Sequence, residues 1–405
     1  MKRIAMLSVH TCPLGHLGTR DSGGMNVYVR ELSRELGELG TNVDVFTRYR
    51  NCDHPCEVKL GEGSRLVHLG AGERPELSKY DLYDYLPEFA GNVVSYQQEN
   101  GLSYDLVHSH YWLSGWVGEL LKACWNVPHL TTFHTLGRLK TLNHETEPEP
   151  ELRLSTEERV VRQADRVLAL TEIEKSQLIA LYGTEANRIS VVPGGIDLGV
   201  FRRHNRDNAR KALGLDTDER IVLYVGRMEP LKGVDILIKA LAQMSGVERL
   251  RCLAVGGNSN DDGEVAELRN LAESAGVASR MTFLGPVEHE KLPLYYSAAE
   301  VTAVPSRYES FGLVALESLA CGTPVVASDV GGLPTIVRDG HNGLLVPRFE
   351  PSGFAASLSR VLLDSSLRNC LSARATATTG EFSWGGIVPR ILDLYREMAL
   401  ASTVV

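Results

Sequence analysis

The chain has 405 residues, 43% hydrophobic and 23% charged, a balance that excludes disorder, a collagen-like repeat or a coiled coil as a description of the whole. Its formal charge is −9, from 42 Lys and Arg against 51 Asp and Glu, which disfavours nucleic acid as a partner. At about 150 residues per domain, the length predicts two or three domains, each able to bury its own core.

The apolar run Ile4–Val9 after Met1-Lys2-Arg3 is the first predicted strand. It is too short for the apolar region of a signal peptide, and no small-residue cleavage site follows. Further strands are predicted at Val43–Thr47, Leu66–Leu69, Leu106–His108, His129–Phe133, Arg166–Leu170 and Ile189–Val192. Between them lie helical patterns at Met25–Leu39, Leu86–Glu99, Trp116–Cys124, Thr156–Ala164 and Glu172–Tyr182. The alternation ends at Val192-Pro193-Gly194-Gly195-Ile196-Asp197 and resumes after the polar stretch Phe201–Arg220, read as a linker. The second series predicts strands at Ile221–Val225, Leu253–Gly256, Met281–Leu284, Val301–Val304, Pro324–Ser328 and Gly343–Val346. Its helices are Gly233–Met244, Gly263–Ala275, Lys291–Ala298, Gly312–Cys321 and Pro351–Leu363. A last helical face runs over Trp384–Leu400. Continuous apolar strands alternating with helices predict parallel sheets covered on both faces. The fold class is therefore α/β, with two doubly wound, Rossmann-like domains meeting near residue 197 and a ligand cleft between them.

The seven cysteines, Cys12, Cys52, Cys56, Cys124, Cys252, Cys321 and Cys370, show neither a disulfide framework nor a zinc spacing. Reduced thiols and a cytoplasmic location are expected. No apolar stretch approaches the roughly 18 residues a membrane span needs, so no stable membrane insertion is expected. Glycine is over-represented, with 38 residues against an average of about 7%.

Several of those glycines punctuate strand-to-helix turns. Gly18 to Asn26 contains Asp21-Ser22-Gly23-Gly24 and opens a helix, so it either presents N–H groups to an anion or is a tight connection. It is neither a Rossmann fingerprint nor a P-loop. Arg227 and Lys232, in Gly226-Arg227-Met228-Glu229-Pro230-Leu231-Lys232-Gly233, stand past the strand Ile221–Val225. One fork and one point charge suit a diphosphate; a solvated loop is the plainer alternative. In the next such segment, Pro305 to Glu317, Glu309 stands before the helix and Glu317 about a turn and a half into it, and carboxylates accept hydrogen bonds from vicinal hydroxyls. Two further strand ends carry histidine, His108-Ser109-His110-Tyr111 and Thr132-Phe133-His134-Thr135, without the remaining ligands of a zinc site. Asp216-Thr217-Asp218 has the look of a metal-binding triplet but precedes a strand and is read as surface.

Together, in this order, these motifs resemble the retaining glycosyltransferases of family 4, with the GT-B fold. The resemblance also rests on Ala320-Cys321-Gly322-Thr323-Pro324-Val325-Val326-Ala327, Gly331-Gly332-Leu333-Pro334 and Phe382-Ser383-Trp384, and it covers nearly the whole chain. It implies an N-terminal acceptor-binding domain over 1–197, with helix 385–405 packing back on it, and a nucleotide-sugar-binding domain over 198–384. Gly23-Gly24-Met25-Asn26, His108 to Gly115 and His134-Thr135-Leu136 are similar to a subgroup whose acceptor is an inositol phosphate. Gly137-Arg138-Leu139-Lys140 is instead similar to a subgroup acting on a sugar phosphate.

What the resemblance implies for single residues is specific. Gly23 and Gly24 would let backbone approach the donor diphosphate, which Arg227 and Lys232 would clamp. Glu309 would hold donor-sugar hydroxyls and Glu317 the ribose, with N–H groups of Phe311, Gly312 and Leu313 on sugar and phosphates. His134 would contact the donor sugar near the reacting carbon. Asn26, Lys79, Tyr111, Thr135 and Arg153 would bind the acceptor. His134, Arg227, Lys232 and Glu309 are then the catalytic set. No cofactor and no obligatory metal are implied, only a nucleotide-sugar co-substrate, a UDP-sugar foremost. Partners are small-molecule substrates, with no nucleic acid and with a homodimer left open. The alternatives are a lipid or polysaccharide acceptor, an epimerase or phosphorylase of the same fold class, and a non-catalytic nucleotide-sugar sensor.

Overall fold

The computed structural model describes residues 2–15, 23–49, 56–73, 77–143, 148–257, 263–347 and 350–402. Asp21, Ser22 and Cys52 lie outside the described residues. The chain divides into two compact units, one holding Gly24–Gly195 together with Met1–Gly15 and Trp384–Val405, the other built mainly from Ile196–Ser383.

The first unit is built on eight strands: β1 (Arg3–Leu7), β2 (Asn42–Arg48), β3 (Glu57–Gly61), β4 (Ser64–Leu69), β5 (Leu106–His110), β6 (His129–Thr132), β7 (Arg166–Ala169) and β8 (Ile189–Val191). They lie in the order β3-β4-β2-β1-β5-β6-β7-β8. Every pairing is parallel except β3 with β4. Its helices are α1 (Gly24–Glu38), α2 (Leu86–Glu99), α3 (Trp112–Trp125), α4 (Gly137–Asn143), α5 (Glu151–Gln163) and α6 (Glu172–Tyr182). β1 is Arg-Ile-Ala-Met-Leu with four fully buried residues, the mark of a strand covered on both faces. Phe46, Phe89, Trp112, Leu113 and Leu121 pack one side of this sheet.

In the second unit, β9 (Arg220–Val225), β10 (Leu250–Val255), β11 (Met281–Gly285), β12 (Val301–Val304), β13 (Val325–Ser328) and β14 (Gly343–Val346) form a parallel sheet ordered β11-β10-β9-β12-β13-β14. Its helices are α7 (Arg206–Leu213), α8 (Val234–Gln243), α9 (Gly263–Ser274), α10 (Leu292–Ala298), α11 (Leu313–Ala320), α12 (Leu333–Ile336), α13 (Pro351–Leu363) and α14 (Ser365–Ala375). Residues of α8 and α13, including Ile238, Leu241, Phe354 and Leu358, bury one sheet face. The stretch read from sequence as a linker, Phe201–Arg220, is not one: α7 occupies its middle, and Arg210 is buried there against Glu300 at 2.8 Å.

The final helix, α15 (Trp384–Ser402), belongs to the first unit and packs on α1. Gly195 explains part of the Pro-Gly-Gly-Ile-Asp motif. A Cβ there would lie 2.2 Å from the Trp384 ring, so only glycine lets the indole in. Among the described residues no helix is long and apolar enough to cross a membrane.

Both sheets reverse strand order beside their central strand, between β1 and β5 and between β9 and β12. Ligands of open parallel sheets bind beyond the carboxyl ends of the strands at such switch points. The segments after β1, β5, β6, β9 and β12 are thus the places where chemistry is expected, and they carry the singled-out residues.

Candidate functional site

In the second unit the loops after β9 and β12 meet. Lys232 closes a short 3-10 turn, Pro230–Lys232, and its Nζ lies 2.7 Å from Glu309 Oε2. Arg307 holds the two loops together: its backbone N–H donates to Leu231 O at 2.8 Å, and its guanidinium pairs with Asp235 at 2.6 Å. Arg227 follows β9 and pairs with Glu229 at 2.9 Å. Gly331 fixes Glu309 from the other side. A Cβ at Gly331, whose φ is +51°, would lie 1.8 Å from Glu309 O, and Gly332 N–H donates to that same oxygen at 2.9 Å. The backbone of Glu309 is therefore clamped while its carboxylate meets the Lys232 ammonium.

The helix after this loop starts as the sequence suggests. Gly312 caps α11 at φ +107°, Leu313 is its first residue, and buried Phe311 packs edge-on to Phe382. Glu317 lies within α11 and does not join Glu309. Its carboxylate is buried, accepting from Tyr296 Oη at 2.7 Å and His289 Nε2 at 2.9 Å. A carboxylate offers about four lone-pair sites, so acceptor capacity remains beside these two bonds. Asp216 and Asp218 are exposed and pair with Arg249.

Gly23 is grouped with the second unit and precedes α1, which Gly24 opens in the first unit. Asn26 is fully buried, and its amide donates to Thr11 Oγ1 at 2.9 Å and Cys12 O at 2.6 Å, pinning the loop after β1. Arg153 sits on α5 only 1% exposed. Its guanidinium pairs with Glu157 at 2.8 Å and Glu149 at 3.0 Å, donates to Thr135 O and Oγ1 at 3.2 Å, and covers the Tyr111 ring at 5.0 Å. Lys140 pairs with Glu149 at 2.6 Å, and the Tyr80 hydroxyl donates to Glu149 at 2.7 Å. Lys79 lies over the Tyr80 ring at 5.1 Å. Tyr111, Thr135 and Arg153 thus come together, with Lys79 reached through the Tyr80 ring, and Arg153 is held by two carboxylates, Glu149 and Glu157, that the sequence reading did not single out. Burial alone would raise the Glu149 carboxyl; Arg153, Lys140 and Tyr80 instead hold it down to about 2.

The histidines are buried and linked. His108 Nδ1 lies 2.7 Å from the Tyr395 hydroxyl of α15, and its Nε2 lies 2.9 Å from Thr132 Oγ1. His110 Nδ1 lies 3.0 Å from His134 Nε2. Tyr28 of α1 packs edge-on to His134 and to Trp384. Burial pushes His134 down to about 3, so it is neutral at physiological pH. Among the described residues no three His, Cys, Asp or Glu side chains converge as a metal-binding group.

Glu174 adds a buried carboxyl at the start of α6. It accepts from Leu170 N at 2.7 Å, yet burial raises it from its ordinary 4.5 to about 7. Between those values the unfolded chain ionises and the folded one does not, so stability falls as pH rises from 4.5 to about 7 and levels off above it. Glu174→Gln is expected to melt above the wild type at pH 8, by on the order of 2 kcal/mol, with the gap closing by pH 4. Equal melting curves at pH 8 would contradict it.

Two family descriptions match: Glycosyltransferase Family 4 over residues 22–200 and Glycosyl transferases group 1 over residues 205–378. The D-inositol 3-phosphate glycosyltransferase of Actinosynnema mirum is 44% identical over 404 residues, 98% of this chain and 97% of that protein. The enzyme of the same name from Geodermatophilus obscurus is 45% identical over 99% of this chain and 91% of its own. Among solved structures, sucrose-phosphate synthase of Thermosynechococcus elongatus superposes with a TM-score of 0.92 at 36% identity, covering 99% of this chain and 100% of that one. With paired loops at the switch points of two Rossmann-like sheets and relatives matched end to end, the chain belongs to glycosyltransferase family 4 and is a glycosyltransferase of the GT-B fold.

Proposed function

We propose that the protein is a retaining glycosyltransferase that moves a hexosyl unit from a nucleotide-diphosphate sugar, a UDP-sugar foremost, to a small phosphorylated acceptor. The observation that carries the acceptor reading is the cluster of Arg153, Lys79 and Lys140 with Thr135 and Tyr111 past β5 and β6. Cations beside hydroxyls suit a phosphate monoester on a polyol. The two relatives named for D-inositol 3-phosphate make an inositol phosphate the first acceptor to test. Lys140, on Gly137-Arg138-Leu139-Lys140, favours a second acceptor, a hexose phosphate, as in the synthase at 36% identity.

On this reading the second unit holds the donor. Arg227 and Lys232 neutralise the diphosphate and the charge that grows on it as the sugar departs. Glu309 orients sugar hydroxyls and releases part of Lys232 to the phosphate. Glu317 accepts from the ribose, and the N–H groups of Phe311, Gly312 and Leu313 approach sugar and phosphate. Gly23 and Gly24 admit the diphosphate to the main chain. The neutral His134 meets the transferred sugar. Asn26 fixes the loop beside the acceptor. The departing phosphate itself takes the acceptor proton, which leaves Glu309 no part as a nucleophile. We place the protein in the cytoplasm, where thiols such as Cys252, pushed up to about 12 by burial, stay reduced.

The test is incubation with labelled UDP- and GDP-sugars, alone and with inositol phosphate or fructose 6-phosphate. Nucleotide release that requires one of the two acceptors, and a product of unchanged anomeric configuration by NMR, is expected. Nucleotide-sugar binding without turnover under either acceptor would defeat the proposal.

A further inference from the structure

Two non-glycine residues with left-handed φ stand at neighbouring strand ends: Tyr111 (+79°) directly after β5 and His134 (+60°) two residues after β6. The main chain ties these ends together, since Tyr111 N–H donates to Thr132 O at 2.8 Å. The imidazoles of His110 and His134 are thereby held with Nδ1 of the first 3.0 Å from Nε2 of the second. Both rings are neutral, because burial lowers both. A neutral ring has one N–H and one bare nitrogen, so one of the two must donate and the other accept.

The choice between them is decided by the far nitrogen of His110. His110 Nε2 is sealed from solvent and has no hydrogen-bond partner among the described residues. His108, whose ring lies 4.2 Å away, offers it nothing, because both its nitrogens are engaged by Tyr395 and Thr132. If His134 donated, His110 would carry its proton on Nε2, and that N–H would be buried without an acceptor. Orphaned buried N–H groups are rarer and costlier than unused acceptors. If His110 Nδ1–H donates, the sealed atom is only a bare lone pair, and His134 must then carry its proton on Nδ1. That Nδ1 has no hydrogen-bond partner among the described residues and is not sealed as His110 Nε2 is.

We propose that His110 is a positioning residue that locks His134 as its Nδ1–H tautomer. His134 then meets a substrate oxygen as a hydrogen-bond donor and has no lone pair to serve as a base. The second clause rests on the reading above that His134 contacts the transferred sugar; the tautomer itself does not.

The test begins with the full-length wild-type chain labelled with 15N-histidine, without substrates. Long-range 15N–1H spectra, assigned through His134→Gln, are expected to show His134 protonated at Nδ1 and bare at Nε2. Protonation at Nε2 overturns the proposal, and this measurement needs no variant of His110. Kinetics give the second arm. His110→Phe removes the donor, and kcat should fall on the order of 10-fold or more with the donor KM changed less than about 3-fold, as when a catalytic histidine loses its tautomer. His110→Asn restores an N–H near the Nδ1 position and should recover part of that loss. A wild-type kcat in His110→Phe overturns the positioning role. A wild-type kcat in His134→Ala would instead overturn the reading of His134 as a sugar contact, leaving the tautomer to stand or fall by the spectra.

Discussion

Lys232→Ala is expected to lower turnover at least about 100-fold, and Arg227→Ala to do the same, each comparable to removing a donor from an oxyanion hole. The loss should come from substrate rather than from the fold. The Lys232 and Glu309 side chains are 22% and 17% exposed, and Arg227 and Glu229 are 31% and 25% exposed. Pairs this open to water contribute about 0–1 kcal/mol to stability. Thermal midpoints should therefore stay close to wild type while turnover collapses. A second effect sharpens Lys232→Ala. It leaves the Glu309 carboxylate, whose backbone is clamped by Gly331 and Gly332, uncompensated where the proposed function puts the diphosphate. Arg227→Lys keeps the charge and loses the fork, so an intermediate rate is expected. Turnover is measured as nucleotide release at saturating acceptor. Rates near wild type in either alanine variant would overturn the donor assignment.

How much of this was legible in the sequence depends on how each element is held. Strands covered on both faces announce themselves: Val301–Val304 and Gly343–Val346 run as expected, residue for residue. β3, Glu57–Gly61, went unread because it is an edge strand with no buried residue and hence no apolar pattern. α3 was expected from Trp116 but starts at Trp112. Tyr111 precedes it with no side-chain cap and φ +79°, so the usual start signal is missing. α7 hid in a polar stretch because its buried residues are only Ala209 and Arg210, the latter neutralised by Glu300 ninety positions away. The loops that carry Arg227, Lys232 and Glu309 were legible as strand-to-helix connections because glycines punctuate them past apolar strands. The internal partners were not. His289 and Tyr296, which hold Glu317, sit 28 and 21 residues upstream without any spacing rule. Arg153 and Glu157 are a partial exception, since a spacing of four puts them on one face of α5, whereas Glu149 precedes that helix. Only the tertiary fold shows that both carboxylates are buried on one guanidinium.

Arg153→Ala is the change expected to cost the fold most. Glu157 is fully buried, Glu149 is 8% exposed, and Arg153 is the cation they share. Removing one partner of a buried ion pair costs about 3–5 kcal/mol, because the remaining charge is neither solvated nor paired. Lys140 still reaches Glu149, and Gly137 N–H at 2.7 Å and the Tyr182 hydroxyl at 2.5 Å still reach Glu157, so the lower half of that range is the better expectation. Loss of fold must be separated from loss of acceptor binding. The triple variant Arg153→Met, Glu149→Gln, Glu157→Gln removes cation and anions together, and replacing a buried charge triad by neutral groups of similar volume is often neutral for stability. It should melt close to wild type. It should still bind the nucleotide sugar, for which the proposed function looks mainly to Arg227, Lys232, Glu309 and Glu317 in the other unit, and it should lose affinity for the phosphorylated acceptor by at least about 10-fold, one charge-assisted contact. A triple variant with restored stability and wild-type acceptor KM would show that Arg153 only neutralises its two carboxylates. Restored stability with the acceptor KM raised would show that the guanidinium, 1% exposed in the absence of ligand, turns part of its donor fork to the phosphate when acceptor binds.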